Sequence, residues 1–155
     1  MPIRAEIVSQ DRPVFSGDVD ILVAPGVEGE MGILPNHSPL LTTLKPGVLR
    51  IRRQGVEEVF AISGGVMEVR PDIVTVLADS AERADEIDLA RAEDARQRAE
   101  ESLKAGLPPN SDAYLAAESA LRRSSLRIRV ARKRRGSGMD FGGGGPAGGP
   151  SAGSL

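Results

Sequence analysis

Apolar and polar side chains alternate with period two from the start of the chain: Ile3, Ala5 and Ile7 stand against Arg4 and Glu6, and Val19, Ile21 and Val23 follow in the same rhythm. Alternation of this kind puts one face of a strand into a core and the other into water. Further short runs are Val48 to Arg52, Val56 to Ile62, Gly65 to Val69 and Ile73 to Leu77. Between them lie Asp11-Arg12-Pro13, Pro25-Gly26, Pro35-Asn36, Lys45-Pro46-Gly47, Gln54-Gly55, Ser63-Gly64-Gly65 and Pro71-Asp72. These residues supply the fixed or positive φ that turns require. Many short strands without intervening helices predict an antiparallel β-sandwich or barrel over residues 1–84.

After Leu77 the period becomes helical. Ala92, Ala95, Ala99 and Leu103 step by three or four, with Asp85 or a neighbour as the expected N-cap. Pro108 and Pro109 end that helix, since proline lacks the donor and clashes with the preceding turn. A second helix begins at Ser111 or Asp112, with Tyr114, Leu121 and Ile128 repeating beside Ala117, Ser124 and Ala131. Residues 85–135 therefore predict an antiparallel two-helix hairpin. Its facing stripes are alanine-rich and bury little area, so the hairpin should be weakly held and able to open alone. Residues 136–155 hold nine of the 18 glycines and are expected to be a disordered Gly/Pro/Ser-rich tail.

Charge changes this picture locally rather than globally. The 155 residues carry 20 Lys+Arg and 22 Asp+Glu, a formal net charge of -2, which does not suit strong nonspecific nucleic-acid binding. Residues 110–135, however, carry +6, while residues 81–109 carry -3. Zero cysteines exclude disulfides, thiolate metal ligation and a cysteine nucleophile, and one histidine excludes a His-rich metal site. No run approaches the ~20 apolar residues that span a bilayer, and the first residues lack a signal-peptide plan.

Candidate chemistry is sparse. His37 beside Ser38 does not make a hydrolase, because adjacent side chains point apart and no G-x-S-x-G elbow is present. Glu57 and Glu58 are consecutive and so lie on opposite strand faces. Neither Gly29-Glu30-Met31-Gly32 nor Ser63-Gly64-Gly65-Val66 matches a phosphate-binding glycine pattern. No catalytic residue and no metal ligand set is assigned. The strongest feature is the arginine series Arg122, Arg123, Arg127, Arg129 and Arg132 on the second helix, continued by Lys133, Arg134 and Arg135. Arg123 and Arg127 share a helix face and can grip a phosphate or a partner's carboxylates.

The run Gly29-Glu30-Met31-Gly32-Ile33-Leu34-Pro35-Asn36-His37-Ser38-Pro39-Leu40-Leu41-Thr42 resembles the signature loop of the epsilon-subunit family of bacterial F-type ATP synthases, and Ser63-Gly64-Gly65-Val66-Met67-Glu68-Val69 resembles a second family motif. The similarity continues through Val74 to Asp79 and Ile87 to Ala92 and covers about residues 3–131. It implies a β-sandwich of about ten strands followed by a two-helix domain, in a non-catalytic rotor component. The resemblance implies docking on the gamma subunit and the c-ring, with Glu30, Met31, Ile33, Leu34 and His37 as contacts and Glu30 facing a c-ring loop. It also implies that the helices, extended, reach the alpha/beta catalytic head through Arg122, Arg123 and Arg127 and inhibit ATP hydrolysis. The implied location is peripheral, on the cytoplasmic face of a bacterial membrane, reached only through the complex.

Some family members bind a regulatory ATP through the motif found here as Ile87-Asp88-Leu89-Ala90-Arg91-Ala92. By that resemblance Glu82, Ile87, Asp88, Arg91, Ala92, Arg98, Arg123 and Arg127 would form the ATP site, with no cofactor required otherwise. Asn36 stands where glycine is common in the family, which is tolerable because asparagine accepts left-handed backbone. The glycine-rich tail has no assigned counterpart. The competing class is a freestanding nucleotide-sensing or nucleic-acid-binding module using the arginine helix, a reading weakened by the scarcity of aromatic side chains.

Overall fold

The computed structural model describes residues 1–137, with side chains described through Arg132. Eight strands come first: β1 (Ile3–Ser9), β2 (Pro13–Val19), β3 (Ile21–Gly26), β4 (Gly29–Ile33), β5 (Leu40–Arg53), β6 (Val56–Val69), β7 (Ile73–Ala78) and β8 (Ala81–Arg83). A 3-10 turn, Ala84–Glu86, leads to α1 (Leu89–Lys104) and α2 (Asp112–Ser137). The strands form one hydrogen-bonded ladder in the order β2-β1-β7-β6-β5-β3-β4, with β8 added to β6. All pairs are antiparallel except β1 with β7, which is parallel. That exception to the expected antiparallel sheet needs a long crossover, and the intervening strands β2 to β6 supply it.

The ladder becomes a sandwich because β5 and β6 bend. Inward positions on β5 are Leu40, Thr42 and Leu44 before the bend but Gly47, Leu49 and Ile51 after it. On β6 they are Phe60 and Ile62, then Met67 and Val69. In both strands the alternation slips by one residue, so the side chains of the two halves meet across the same core. Lys45-Pro46-Gly47 and Ser63-Gly64-Gly65, expected as turns between separate strands, are these bends; counting each half separately turns eight continuous strands into ten segments. Gly65 has φ +146°, and a Cβ there would overlap the Leu77 carbonyl oxygen, so only glycine fits the bend. Asn36 takes φ 63°, the left-handed conformation its residue type tolerates.

One cluster fills the sandwich. Ile3, Ile7, Leu22, Ile33, Leu49, Ile51, Phe60, Ile62 and Met67 are fully buried in it. The hairpin owns no comparable core. Ala92 and Ala99 of α1 and Ala117, Ser124, Ile128 and Ala131 of α2 are buried, the stripes expected from the sequence. A second, small cluster of Ala61, Ala84, Ile87, Val130 and Ala131 joins the end of α2 to β6 and the 3-10 turn.

Helix α1 is capped by Asp88, whose Oδ1 accepts the Arg91 N–H at 3.2 Å, rather than by Asp85, which lies in the 3-10 turn. Ser111 Oγ accepts the Tyr114 N–H at 3.2 Å, the N-cap pattern at the start of α2. Gly136 and Ser137 continue α2, so the helix runs past the expected start of the tail. Residues 138–155, the remainder of the segment expected to be disordered, lie outside the described residues.

Candidate functional site

Two surfaces carry the exposed chemistry: the junction of the arm with the sandwich, and the outward face of β5, β6, β7 and β1.

At the junction, strand alternation on β8 sends Glu82 toward α2 and Arg83 toward the sandwich. Glu82 accepts two hydrogen bonds from Arg127, Nε to Oε2 at 2.8 Å and Nη2 to Oε1 at 3.0 Å. A fork-to-fork pair of this kind fixes orientation as well as charge. Arg83 donates from Nη1 to Glu58 Oε1 at 3.0 Å and from Nη2 to the Val14 carbonyl at 3.2 Å, and its guanidinium lies 5.4 Å from the Phe60 ring centroid. Beside the Glu82–Arg127 pair opens a cleft of about 260 Å³, whose polar walls include Arg12, Glu82, Arg123 and Arg127 and whose floor includes Ile62 and Leu126.

Of the residues expected to hold ATP, the structure gathers Glu82, Arg123 and Arg127 around this cleft. Ile87 is buried in the small cluster joining arm and sandwich, and Ala92 is buried on α1. The Asp88 carboxylate caps its own helix. Arg91 is exposed, and Arg98 borders a separate groove between the helices beside Ala95, Ala99 and Ala117. Arg123 Nη1 donates to Ser119 Oγ at 2.8 Å, and Arg122 is exposed. Arg12, on the β1–β2 turn, was not found by sequence reasoning. It reaches Glu86 at 3.1 Å across 74 residues of sequence, and no local pattern marks such a neighbour.

The loop residues expected to meet a partner divide in the same way. Ile33 is fully buried in the core, and Met31 is partly buried against it. Leu34 is exposed. Glu30 is exposed but engaged: Arg50 Nη2 donates to its Oε1 at 2.6 Å. His37 Nδ1 lies 2.7 Å from the Ser38 carbonyl oxygen, and since a carbonyl only accepts, the ring proton sits on Nδ1. The backbone N–H of His37 also bonds the Leu34 carbonyl, so this residue closes its own loop.

The outward face adds a feature absent from those expectations. Val66 pairs with Leu77 on one side and Thr43 on the other, and Leu77 pairs with Val8, which makes one transverse row. Leu77 is 55% exposed and Val66 39%, with Leu41, 70% exposed, one step further along β5. Large apolar side chains grouped on an outward sheet face mark an interaction surface. The signal was present in the sequence as apolar residues at the polar phase of each strand. Among the described residues no three His, Asp or Glu side chains gather at metal-binding spacing, and no helix is long and apolar enough to cross a membrane.

A sandwich with an apolar row on its outward face and a helical arm held mainly at one end has the form of an adaptor for larger partners. Comparison with known proteins makes the class specific. Residues 2–84 match the family model for the ATP synthase delta/epsilon chain β-sandwich domain, and residues 85–132 match that for its long α-helix domain. The ATP synthase epsilon chain of Herpetosiphon aurantiacus is 53% identical over 87% of this chain and 98% of its own length. That of Dehalococcoides mccartyi strain BAV1 is 52% identical over 86% and 94%. A chain in the cryo-EM structure of the Euglena gracilis mitochondrial ATP synthase OSCP/F1/c-ring assembly superposes with a TM-score of 0.69 at 25% identity, over 81% of this chain and 78% of that one. The chain belongs to the ATP synthase delta/epsilon family.

Proposed function

We propose that this chain is the non-catalytic epsilon subunit of a bacterial ATP synthase rotor, carried on the cytoplasmic face of the membrane and peripheral to it. The sandwich docks on the gamma subunit and on the c-ring, and the helical arm restrains ATP hydrolysis when it extends toward the alpha/beta head. The observation that carries this reading is the apolar row of Val66 and Leu77, with Leu41 beside it, on the paired strands that cover the main core. Torque passes through a body that does not deform, and a sheet with one dense core meets that demand. The gamma subunit is the partner we assign to this row. The c-ring loops fit the β4 end, where Leu34 is exposed and the Glu30 carboxylate keeps one oxygen outside its bond to Arg50.

The test is capture of the full chain by gamma subunit and c-ring. The wild-type chain should be retained and Val66→Asp/Leu77→Asp lost. Retention of the double variant, or failure of the wild type to join the other rotor subunits, overturns the assignment. Turnover of ATP by the isolated chain would contradict the non-catalytic role.

A regulatory nucleotide is a second reading, favoured by one observation: Arg12, Arg123 and Arg127 border a single cleft at the junction. Ligand that bound only the compact arm would stabilise it in proportion to RT ln(1 + [L]/Kd). Calorimetric titration of the full chain with ATP, repeated with Arg123→Ala, tests it; unchanged heats in the variant remove this cleft from consideration.

A further inference from the structure

The hold of the sandwich on α2 is concentrated at one end of the helix. Over residues 113–120 the groove between α1 and α2 is lined mainly by alanine methyls, among them Ala99, Ala116 and Ala120. Apolar contact with the sandwich comes late, where Val130 and Ala131 meet Ala61, Ala84 and Ile87. Two ion pairs frame that small contact: Arg127 with Glu82 on β8, and Arg132 Nη2 with Glu93 Oε1 on α1 at 3.2 Å. Only the first ties α2 to a strand.

We infer that the Glu82–Arg127 pair is a clasp that keeps the arm compact without any ligand, and that an acidic partner gripping Arg127 by its Nε–Nη2 edge must displace Glu82. This rests on the reading of the arm as the regulated element. The side chains of the pair are about one-third exposed, 34% for Arg127 and 29% for Glu82, so solvent weakens the clasp without dissolving it. Glu82 is presented rather than mobile. Its neighbour Arg83 is fixed to Glu58 and to the Val14 carbonyl and lies against the rings of Phe60 and Phe15, which holds the three-residue strand β8 in register with β6. The backbone beneath Glu82 is therefore already fixed when Arg127 arrives, and only side-chain rotamers remain to be ordered. Arg83 is a positioning residue for the clasp.

Competition for one guanidinium edge follows from the geometry. Arg127 spends Nε and Nη2 on the two oxygens of Glu82, the edge of the guanidinium that a phosphate or a partner carboxylate would grip in the same manner. An acidic partner that takes that edge thus releases the arm as it binds, whereas a nucleotide held in the cleft by Arg12 and Arg123 leaves the clasp closed, and added salt should loosen it.

The chain has no cysteine, so two introduced cysteines report arm posture without background. Asp72→Cys on the body and Ala116→Cys on α2 are both exposed positions, and spin labels there give distances by pulsed electron resonance on the full chain. We expect one dominant distance in the parent, and roughly a fivefold rise in the population at other distances in Glu82→Gln. The exchanged pair Glu82→Arg/Arg127→Glu should return the parent distance. An unchanged distribution in Glu82→Gln, or failure of the exchange to restore it, overturns the clasp. A fall in the melting temperature of the sandwich that tracks the distance change also overturns it, since the pair would then hold the body and not the arm. None of these readings needs a rotor partner, so loss of the clasp is distinguishable from loss of the rotor assignment, which capture by gamma subunit and c-ring decides.

Discussion

Arg50 reaches across the sheet to Glu30, Nη2 to Oε1 at 2.6 Å, and its Nη1 stands 3.7 Å from Glu57. One guanidinium thus ties the edge strand β4 and the opening residues of β6 to β5. Glu30→Lys would set a second cation beside Arg50, turning an attraction across β3 into a repulsion. The expected cost is about 1 kcal/mol, seen as a lower midpoint in urea, and c-ring capture should fall as well. A variant that kept its midpoint and its capture would remove Glu30 from the partner surface.

Gly65 sits at the bend of β6 with positive φ, and its missing side chain leaves room for the Leu77 carbonyl oxygen. Gly65→Ala must strain the backbone and move β7. A loss of about 3 kcal/mol is expected from equilibrium denaturation, far more than an exposed strand substitution costs. The same substitution at Gly55, where a Cβ meets nothing within 4 Å, carries only the conformational penalty of its φ of +78° and should cost roughly 1 kcal/mol.

Val66→Asp and Leu77→Asp alter side chains that face solvent in the isolated chain. Each should change stability by no more than about 0.5 kcal/mol while abolishing gamma-subunit capture. The contrast between an unmoved melting temperature and lost binding distinguishes a docking surface from a packing defect.

Truncation tests the arm, and the structure decides where to cut. Ending the chain before Ala81 would strip β8 from β6 and uncover Phe60 and Ile62, which are fully buried. Ending it after Glu86 keeps β8 and its Arg83 anchor. The shorter arm-free subunit should retain rotor assembly and raise ATP hydrolysis by the complex, measured by phosphate release. No rise would remove the inhibitory role.

Asp88→Ala removes the acceptor for the Arg91 N–H at the start of α1. A cap of this kind contributes ~1 kcal/mol. The expected outcome is faster amide exchange over the first turn of α1, with the strands of the sandwich unaffected.

Strands β1, β6 and β7, the later half of β5, the two helices and much of the hairpin's buried stripes were legible in the sequence because each is written in local periodicity; β2, β4 and β8 were not, and the run from Val19 to Val23 spans the break between β2 and β3. Asn36 could be read in the same way, from the conformational tolerance of its side chain alone. The bends of β5 and β6 were half legible: proline and glycine marked the places, but a bend inside a paired strand and a reversal between two strands use the same residues. What separates them is pairing across the ladder, Leu44 with Gly65 and Pro46 with Ser63, which is not a local property. The parallel pairing of β1 with β7 was hidden for the same reason. At the site, Arg127 was singled out for its charge, whereas its partner Glu82 lies 45 residues away and Arg12 joins them only through the fold. Ile33 misled because a residue inside a recognisable motif had been given a contact role, while its side chain closes the core.

Strand β8 follows β7 after only Asp79 and Ser80, yet it lies against the opposite half of β6. The root of the arm is consequently welded to the body as far as Arg83, and buried Ala84 and Ile87 extend that anchor, so a pivot lies no earlier than Asp88 at the start of α1. A swing about that axis leaves Val66 and Leu77 where they were. On the proposed function, transmission of rotation and braking of hydrolysis would then be tuned by separate substitutions, as in a drive shaft whose pawl lifts without loosening its coupling.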